Sequence, residues 1–561
     1  GGELAAPSTA REEVLAAIWA EVLGLERVGV DDGFFELGGD SILSIQVVAR
    51  AQQAGLKITA KQIFEHQTVA QLALVAETAA HLDAEQGAVA GEAPLTPIQR
   101  RFFAAEPEEP HHFTMPLLFA LREALEPRAL DAALAALATH HDVLRLRFSR
   151  DRAGEWRQHH AEPGDGVTVP ASTVDLSGLA EPHRRAALEG AAAGLQTSLD
   201  LAAGPVLRAV VFRFGDGDAG RLLLVAHHLV VDGVSWRLLI EDLHHAYERS
   251  RSGAPLRLPP KTTSFRGWSE RLAAHATGEA LGAEAGHWIE TARAVAAGCP
   301  WRIGSPSAAP AGEPFRTELS PETTRSLLTE VHAAYGTRVP DLLLTALARA
   351  VAAESGAAVV AVDLEGHGRE ELFEDADVSR TVGWFTTVYP VVLDLAGREA
   401  PGEALKAVKE RLRAVPAGGI GYGLLRYAAR HPELAGAAEP QIAFNYLGQL
   451  DQALPEGSPL LPAAESVGAT RSPRQRPEHL LSIDAQVADG RFVARWSFVS
   501  DVLSRDRVQA LGGRFTEELE ALIAHCLDPD AGGFTASDFA LTEMGEDELA
   551  EAFGEIEFEE F

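Results

Sequence analysis

The sequence predicts a helical bundle of about 80 residues, followed by a mixed α/β region in two halves. Three observations predict this architecture. Capped helical segments fill the first 80 residues, apolar strand-like runs then alternate with helices, and a Pro-rich segment at 255–260 divides the alternating region. Each half has roughly 200 residues, an ordinary domain size. A cleft between two such halves is the natural place for a functional site.

Composition limits the class of protein. The chain has 561 residues, 46% hydrophobic and 23% charged, which predicts several globular domains. Its net charge of −32 argues against nucleic acid and anionic membranes as partners. With only Cys299 and Cys526 there is no disulfide framework, so we expect a cytoplasmic protein. No apolar run approaches the roughly 20 residues of a membrane span, and no signal peptide opens the chain. We expect a monomer, cut from a longer polypeptide because it begins Gly-Gly-Glu.

The N-terminal bundle is predicted from capping residues and helical spacing. The capping pairs are Thr9 with Glu12, Thr59 with Gln62, and Thr68 with Gln71. They start the first, third and fourth helices, and the fourth is predicted to run to about Ala80. The second helix begins after the segment 31–41, which ends Gly-Gly-Asp-Ser.

Ser41 is placed at the first turn of that second helix. A phosphate on its hydroxyl would face unpaired backbone N–H groups and the positive end of the helix dipole. A plain helix N-cap at Asp40 or Ser41 is the alternative. Residues 31–41 resemble the attachment site of a peptidyl carrier protein of nonribosomal peptide synthetases. The resemblance implies that Ser41 carries a 4'-phosphopantetheine whose thiol holds an amino acid or peptide as a thioester. In that family an Asp before the serine, here Asp40, is typical of carriers that feed an epimerization domain.

Further boundaries follow from composition and motifs. We expect a carrier domain over 1–80 and a linker over 81–93. The two α/β lobes are then predicted over 94–258 and 259–540, and an acidic tail over 541–561.

The segment from His227 to Gly233 lies between an apolar strand, 221–226, and a helix, 236–247. A histidine at a strand end is held rigidly and can face a cleft, so His228 is a candidate general base. Asp232 and Gly233 predict a tight turn with an inward carboxylate that needs a cationic partner, for which Arg145 or another arginine is our hypothesis. No third ligand at zinc-like spacing accompanies the histidines, so we predict no metal site.

Glu365 repeats the situation of His228, because it follows the strand 359–364 and is flanked by glycine. The alternative is an exposed ion pair with Arg369, worth under about 1 kcal/mol. The Gly-rich stretch 418–423 lacks a phosphate-loop ending and favours close backbone approach to a bound arm, or tight packing. Asn445 and Tyr446 fit either a functional or a core role.

These segments, in order and spacing, resemble the motif series of the epimerization domain of nonribosomal peptide synthetases. The motifs are Pro97 to Gln99, His227 to Gly233, Glu365 to Glu370, Arg380 to Phe385, Gly419 to Gly423 and Phe444 to Gln449. The resemblance covers 94 to about 540. It implies two lobes like chloramphenicol acetyltransferase, forming a V with a central tunnel. It also implies that His228 and Glu365 flank the substrate Cα from opposite sides.

The activity implied is epimerization of an aminoacyl or peptidyl thioester to an L/D mixture, by removal and return of the Cα proton through an enolate. His228 and Glu365 could alternate as base and acid, or one group could serve both steps with water. Supporting residues would be His227, Asp232, Gly233, Asn445 and Tyr446. The implied partners are an upstream adenylation domain, a downstream condensation domain and a phosphopantetheinyl transferase.

Two other functions share these features. A condensation domain has the same His-His loop, but is expected to carry a His-Gln motif near 419–423 and an Asn-Pro-Leu-Phe-like motif near 444–448, and this chain has neither. A catalytically silent module that only docks the carrier is the other alternative. For the tail, 541–561, two interpretations stay open: a docking segment for a separate chain, and a linker to a fused condensation domain.

Overall fold

A computed structural model describes residues 5–78, 84–164, 169, 171–215, 217–301, 313–449 and 457–538. Within these ranges the chain forms a helical bundle followed by two α/β lobes, as the sequence predicts. The predicted acidic tail lies outside the described residues, as do residues 79–83, where the carrier domain is predicted to end and the linker to begin.

The N-terminal bundle forms from the predicted capping signals. Its elements are α1 (Ala10–Leu23), α2 (Ser41–Gln53), β1 (Leu56–Lys57), α3 (Ala60–Glu65), α4 (Val69–Val75) and β2 (Glu77–Thr78). Capping boxes form at Thr9 and Thr59, and the Thr68 side chain caps α4. Helical spacing along α1 buries Trp19 against Phe34, with ring centroids 5.0 Å apart.

The fourth helix ends earlier than predicted. It stops at Val75 instead of near Ala80, because Ala76 is extended and Glu77 and Thr78 pair with β1. The short ribbon thus replaces the last predicted helical turn.

The N-terminal lobe is built on a five-stranded sheet and a smaller three-stranded sheet. Its elements are β3 (Gly91–Ala93), α5 (Pro97–Ala104), β4 (Thr114–Leu121), α6 (Pro127–His140), β5 (Leu146–Arg150), β6 (Trp156–His160), β7 (Ala171–Asp175), α7 (His183–Gln196), β8 (Leu207–Arg213), β9 (Arg221–His227) and α8 (Gly233–Arg251). Helices α9 (Phe265–His275) and α10 (Glu279–Val295) follow, and α10 packs against the sheet of the C-terminal lobe. Strand β9 lies at the centre of the larger sheet, between β4 and β8, and its continuous apolar run is buried on both faces. This central strand delivers the histidine pair.

The C-terminal lobe is a six-stranded mixed sheet covered by helices. Its elements are β10 (Phe315–Glu318), α11 (Pro321–Thr329), α12 (Val339–Ser355), β11 (Val359–Gly366), β12 (Thr387–Asp394), α13 (Pro401–Arg413), α14 (Ile420–Gly423), α15 (Pro432–Ala435), β13 (Ile442–Gln449), β14 (Leu460–Pro462), β15 (Leu481–Ala488), β16 (Arg491–Phe498) and α16 (Arg505–Cys526). The strand order is β10-β16-β15-β13-β11-β12, with β13 parallel to both β11 and β15. Parallel pairing brings the ends of β11 and β13, with Glu365 and Asn445, to the same edge of the sheet.

The lobes are tied together by a crossing segment, residues 457–475. Its strand β14 is not part of the six-stranded C-terminal sheet. It pairs antiparallel with β4 and so extends the five-stranded sheet of the N-terminal lobe. Farther along, the Thr114 amide donates to Thr470 O over 2.8 Å, and the backbones of Phe113 and Arg471 form an isolated antiparallel β-bridge. The crossing segment thereby places the guanidinium of Arg471 over the ring of Phe113, 4.9 Å from its centre. The boundary at 258 and 259 stays a prediction.

Candidate functional site

His228 lies where β9 ends and a short 3₁₀ turn begins. Its ring is held between two aromatic side chains, Phe113 at 4.8 Å and nearly parallel (13°), and Trp384 at 4.7 Å. Its Nδ1 is 2.9 Å from Val231 O. A carbonyl can only accept, so Nδ1 carries the proton and Nε2 keeps its lone pair. The ring is therefore fixed in one tautomer with a basic Nε2.

Burial sets the charge of this ring. It lowers the pKa of His228 to about 4, and the neighbouring Arg471 lowers it further, against the opposing effect of Asp232. His228 is thus neutral at pH 7 and can accept a proton.

His227 has a structural role. Its Nε2 donates to Pro110 O over 2.7 Å, and its Nδ1 accepts from the Leu229 amide at 3.1 Å. The side chain is fully buried, which lowers its pKa to about 3. Both ring nitrogens are occupied, so His227 fixes the turn that presents His228.

Asp232 organises the loop as the N-cap of α8, with Gly233 as the first residue of that helix. Its carboxylate accepts from the Ser235 amide at 2.7 Å and from the Phe385 amide at 3.0 Å. The predicted tight turn at Asp232 and Gly233 is therefore a helix start, and Gly233 has no positive φ. The carboxylate also links the histidine loop to the residues that carry Trp384.

The cationic partner of Asp232 is Arg369, with Nη2 and Oδ1 3.5 Å apart. The hypothesis that Arg145 is this partner is wrong, because Arg145 forms an ion pair at 2.5 Å with Asp142, three residues before it in the chain. The alternative of an exposed Glu365–Arg369 pair is also wrong, since the Arg369 side chain is 1% exposed and points to α8.

Replacing Arg369 by methionine is expected to destabilise the protein by about 3 to 5 kcal/mol, because Asp232 is left buried without its cation. Urea unfolding monitored by tryptophan fluorescence measures the change. The matched control is Arg157→Met, which breaks an exposed pair with Asp151 and should cost under about 1 kcal/mol. Equal losses in the two variants would contradict the structural role of Arg369.

Glu365 lies near the end of β11, where Asn445 Nδ2 on the adjacent strand donates to its Oε2 over 3.0 Å. Solvent reaches the carboxyl, yet protein surrounds it on most sides, as expected of a group on the wall of an internal cleft. This burial raises the pKa of Glu365 to about 7, the charge of Asp484 raises it further, and Arg471 and Arg101 oppose the shift. The group is poised to gain or lose a proton near neutral pH.

Arg471 is a charged group that influences both His228 and Glu365. Its guanidinium lies 4.9 Å from the centre of the Phe113 ring, which in turn stacks on His228. Its charge acts on the pKa of both His228 and Glu365. The Arg471 side chain is exposed to solvent.

Arg471 and the ion network beside it were not predicted from the sequence. In that network Arg101 pairs with Glu478 at 3.0 Å, and His479 lies 2.8 Å from Asp363, two residues before Glu365. No motif of the sequence points to these side chains. The only sequence signal for them is the run 471–479, which contains two prolines, three arginines and one histidine in nine residues.

Strand β13 leads from the Glu365 edge to the carrier domain. Asn445 contacts Glu365, and four residues later Gln449 Nε2 donates to Gly38 O of the carrier over 2.6 Å. Four extended residues span roughly 13 Å. Tyr446 lies between these points, and burial together with the charge of Asp40 raises its phenol pKa. The carrier is thus docked at one end of the strand that supports Glu365.

Two further contacts hold the carrier. Glu371 Oε1 accepts from the Ala60 amide at 3.0 Å, and the Arg338 guanidinium lies 4.0 Å from the centre of the Phe64 ring. Phe64 also stacks on Phe35 of the carrier motif at 4.9 Å. Together with the contacts of Gln449 to Gly38 and Asp40, these contacts to α3 define the docked orientation by several independent side chains.

The attachment segment fits the group it is predicted to carry. Ser41 is the first residue of α2, and the residues before it, Gly38 and Asp40, abut Gly448 and Gln449 at the end of β13. An arm attached there begins next to the strand that supports Glu365.

The Gly-rich stretch serves packing. Gly418 and Gly419 have positive φ, and a Cβ on Gly419 would come 2.0 Å from the Tyr389 ring. Of the two predicted alternatives, tight packing is therefore the one that the contacts support.

One cluster of potential metal ligands occurs in the described parts of the chain: His140, His141 and Asp242. Asp242 is already bonded to His141 at 2.9 Å and to Arg380 at 2.7 Å. A cation there would have to displace the arginine, so we assign the cluster to structure.

The two-lobed fold, the histidine loop between the lobes and the docked carrier define the class of the protein. Residues 89–544 match the condensation domain family, and residues 13–75 match the phosphopantetheine attachment site family. The chain belongs to the condensation domain family and carries an N-terminal carrier domain, whose phosphopantetheine is attached to Ser41. The resemblance on which the sequence interpretation depends is thereby confirmed.

The relatives that it matches are much longer synthases. The chain is 43% identical over 555 residues to a linear gramicidin synthase of Brevibacillus parabrevis, covering 96% of this chain and 7% of the relative. It is 45% identical over 556 residues to a chondramide synthase of Chondromyces crocatus, covering 97% and 14%. The chain therefore spans only a small part of these relatives.

Among solved structures, the chain is similar to the epimerization domain from the third module of tyrocidine synthetase B. The identity is 32%, the TM-score is 0.70, and the match covers 79% of this chain and 98% of that one. A condensation domain of the CDA synthetase shares the fold at 20% identity and a TM-score of 0.54, covering 79% and 97%.

In the described parts of the chain, no helix combines the length and the apolar character needed to cross a membrane.

Proposed function

We propose that this protein epimerizes the Cα of an aminoacyl or peptidyl thioester held on Ser41, giving a mixture of L and D forms. The observation that carries the proposal is that His228, fixed with a basic Nε2, and Glu365, whose pKa is raised to about 7, both lie at strand ends and both feel the charge of Arg471. Racemisation needs a proton removed on one face and returned on the other, so it needs two groups of this kind.

The protonation states of the pair suit this exchange. At pH 7 His228 is unprotonated, because burial keeps its pKa near 4, whereas the raised pKa of Glu365, about 7, lets this carboxyl hold a proton near neutral pH. His228 Nε2 removes the Cα proton on one face while the Glu365 carboxyl returns one on the other. The reverse reaction exchanges the two roles.

Arg471 stabilises the charge that develops during proton removal. The thioester on the arm acidifies the adjacent Cα–H, because its carbonyl oxygen accepts negative charge. A cation that stacks on Phe113 and acts electrostatically on both titratable groups is suited to hold that charge. Asn445 keeps the Glu365 carboxyl in one orientation by its hydrogen bond.

The remaining residues position the reactants. His227 and Asp232, with Gly233 at the start of α8, hold the His228 turn. Tyr446 lines the path between Glu365 and the carrier, and Asp40 locks the carrier against β13. The partners that follow from this arrangement are a phosphopantetheinyl transferase, an adenylation domain that loads Ser41 and a condensation domain that takes the product.

The test is to load Ser41 with an aminoacyl-phosphopantetheine in deuterated water, release the amino acid, and determine its chirality and its deuterium content at Cα. A mixture of L and D with deuterium supports the proposal. Unchanged L without deuterium, with both an aminoacyl and a peptidyl load, would refute it. Peptide-bond formation with an added acceptor thioester would instead identify the chain as a condensation domain. If neither reaction occurs, the chain is a module that only docks its carrier.

Carrier docking can be tested at Gly448, which faces Asp40. A Cβ on Gly448 would come 2.3 Å from Asp40 Oδ2, and Gly448 has a φ of 69°. We expect Gly448→Ala to weaken docking by about 1 to 2 kcal/mol beyond the backbone strain, which is a roughly 5- to 30-fold lower docked population. Deuterium exchange of the tethered substrate measures the loss.

The control for the strain is Gly490→Ala. Gly490 has nearly the same φ, 67°, but a Cβ there would meet nothing within 4 Å. Tethered exchange that falls equally in the two alanine variants would show that docking does not depend on the Gly448–Asp40 contact.

A further inference from the structure

A cationic side chain next to the attachment segment has an unused donor. Arg237 extends from the first turns of α8, and its Nη2 donates to Gln449 O over 2.9 Å. Its Nη1 is buried and has no hydrogen-bond partner among the described residues. Buried guanidinium nitrogens are nearly always paired, so this one calls for an acceptor.

The position of Arg237 indicates which acceptor that is. Gln449, to which Arg237 is bonded, contacts the carrier through Gly38 O and through the Asp40 carboxylate, whose Oδ2 is 3.4 Å from its amide nitrogen. The charge of Asp40 also acts directly on Arg237. Arg237 therefore lies within electrostatic reach of the residue that precedes Ser41.

The carrier side of this contact is also prepared for an anion. Ser41 is the first residue of the 13-residue helix α2, so backbone N–H groups and the positive end of the dipole lie around its attachment point. Asp40 itself caps this helix, because its Oδ1 accepts from the Leu43 amide at 2.8 Å, while its Oδ2 lies 3.4 Å from the Gln449 amide nitrogen. What the site lacks is an acceptor that reaches Arg237.

We propose that Arg237 binds the phosphate of the phosphopantetheine on Ser41 when the carrier is docked. The phosphodiester is the first group of the arm, it carries one negative charge, and it offers the acceptor oxygens that the guanidinium lacks. Arg237 then joins the lobes to the arm itself, while Gln449 joins them to the carrier backbone. The docked state is thereby favoured for carriers that hold a phosphopantetheine over those that do not.

This proposal depends on the phosphopantetheine at Ser41 and deepens the proposed function, since it adds the group that fixes the arm at the entrance to the cleft. It explains why a cation is placed at the start of α8, only nine residues after His228. Helix α8 therefore has Asp232, which holds the histidine loop, at its N-cap, and Arg237, which binds the arm, five residues later.

The test is phosphorus-31 NMR of the full-length chain with phosphopantetheine on Ser41, comparing the parent with Arg237→Gln. In the parent we expect a phosphodiester signal that is broadened and shifted from its position in the urea-unfolded chain. In Arg237→Gln it should move toward that unfolded position, with a roughly tenfold or larger fall in the docked fraction. The matched control is Arg249→Gln on the same helix, where the guanidinium donates to Pro255 O.

Each outcome decides the question. A parent signal already at the unfolded position, identical spectra for parent and Arg237→Gln, or equal changes in Arg237→Gln and Arg249→Gln would overturn the proposal. If Arg237→Gln does not fold, Arg237→Lys keeps the charge and should retain an intermediate shift. The NMR readout needs no turnover, so a chain that binds its phosphate but exchanges no Cα proton would refute only the proposed function.

Discussion

Glu365→Gln is expected to lower epimerization of the tethered substrate by about 10²- to 10⁴-fold, the contribution of one positioned acid or base. Glutamine keeps the size of the side chain and can still contact Asn445, but it cannot exchange a proton. Chirality and deuterium content of the released amino acid measure the loss. The matched control is Glu374→Gln, an exposed carboxylate nine residues farther along the chain, which should leave the rate unchanged.

The same variant is expected to change the pH dependence. The pKa of His228 is lowered to about 4 and that of Glu365 is raised to about 7, so the pair holds one proton between these values. Below pH 4 the base is lost because His228 is protonated, and above pH 7 the acid is lost because Glu365 is ionised. The parent should give a bell-shaped profile of kcat/KM, and Glu365→Gln should lack the limb near 7.

Asp484→Asn is expected to shift the alkaline limb of the kcat/KM profile without abolishing it. The charge of Asp484 raises the pKa of Glu365, so neutralising it should shift the alkaline limb to lower pH. A rate that rises through pH 7 in the parent, without a maximum, would mean that Glu365 works alone as a base with solvent as the acid.

The fold was predictable because its local signals agree with its packing. The capping boxes at Thr9 and Thr59 and the apolar run of β9 each specify one element, and each forms as expected. The end of α4 was not predictable from spacing, because the pairing of Glu77 with β1 competes with the last helical turn. Neither strand of that ribbon is longer than two residues, so the sequence carries no alternating pattern for it.

The site was predictable only as far as its motifs extend. His228 and Glu365 follow apolar strands and are flanked by turn residues, which is a local signal. The partner of Asp232 is 137 residues away in the chain, so the sequence could only suggest Arg145 or another arginine, and the packing of the lobes selects Arg369. Arg471 lies in the crossing segment, and no local sequence pattern predicts that this segment pairs with the other lobe.

The carrier contacts were hidden for a different reason. The roles of Arg237 and Gln449 depend on how two separately folded units meet, and each residue looks ordinary on its own element. Arg237 sits among the polar positions of an amphipathic helix, where an arginine is usually solvated. Only an unpaired buried nitrogen distinguishes it.

His228→Ala is expected to lower inversion by a similar 10²- to 10⁴-fold, but to leave a different residual activity from that of Glu365→Gln. Removing His228 takes away proton transfer on one face of the Cα, while Glu365 can still remove and return a proton on the other. His159→Ala, at an exposed histidine on β6, is the matched control.

Each variant should therefore exchange deuterium into one epimer without inverting it, and the two variants should act on opposite epimers. Single-turnover experiments with Ser41 loaded separately with the L and the D substrate distinguish the cases. Exchange into the same epimer in both variants would place His228 and Glu365 on one face, and a single base with solvent would then have to complete the inversion. Exchange into opposite epimers requires two groups on opposite faces, because each surviving group can reach only the hydrogen that points toward it.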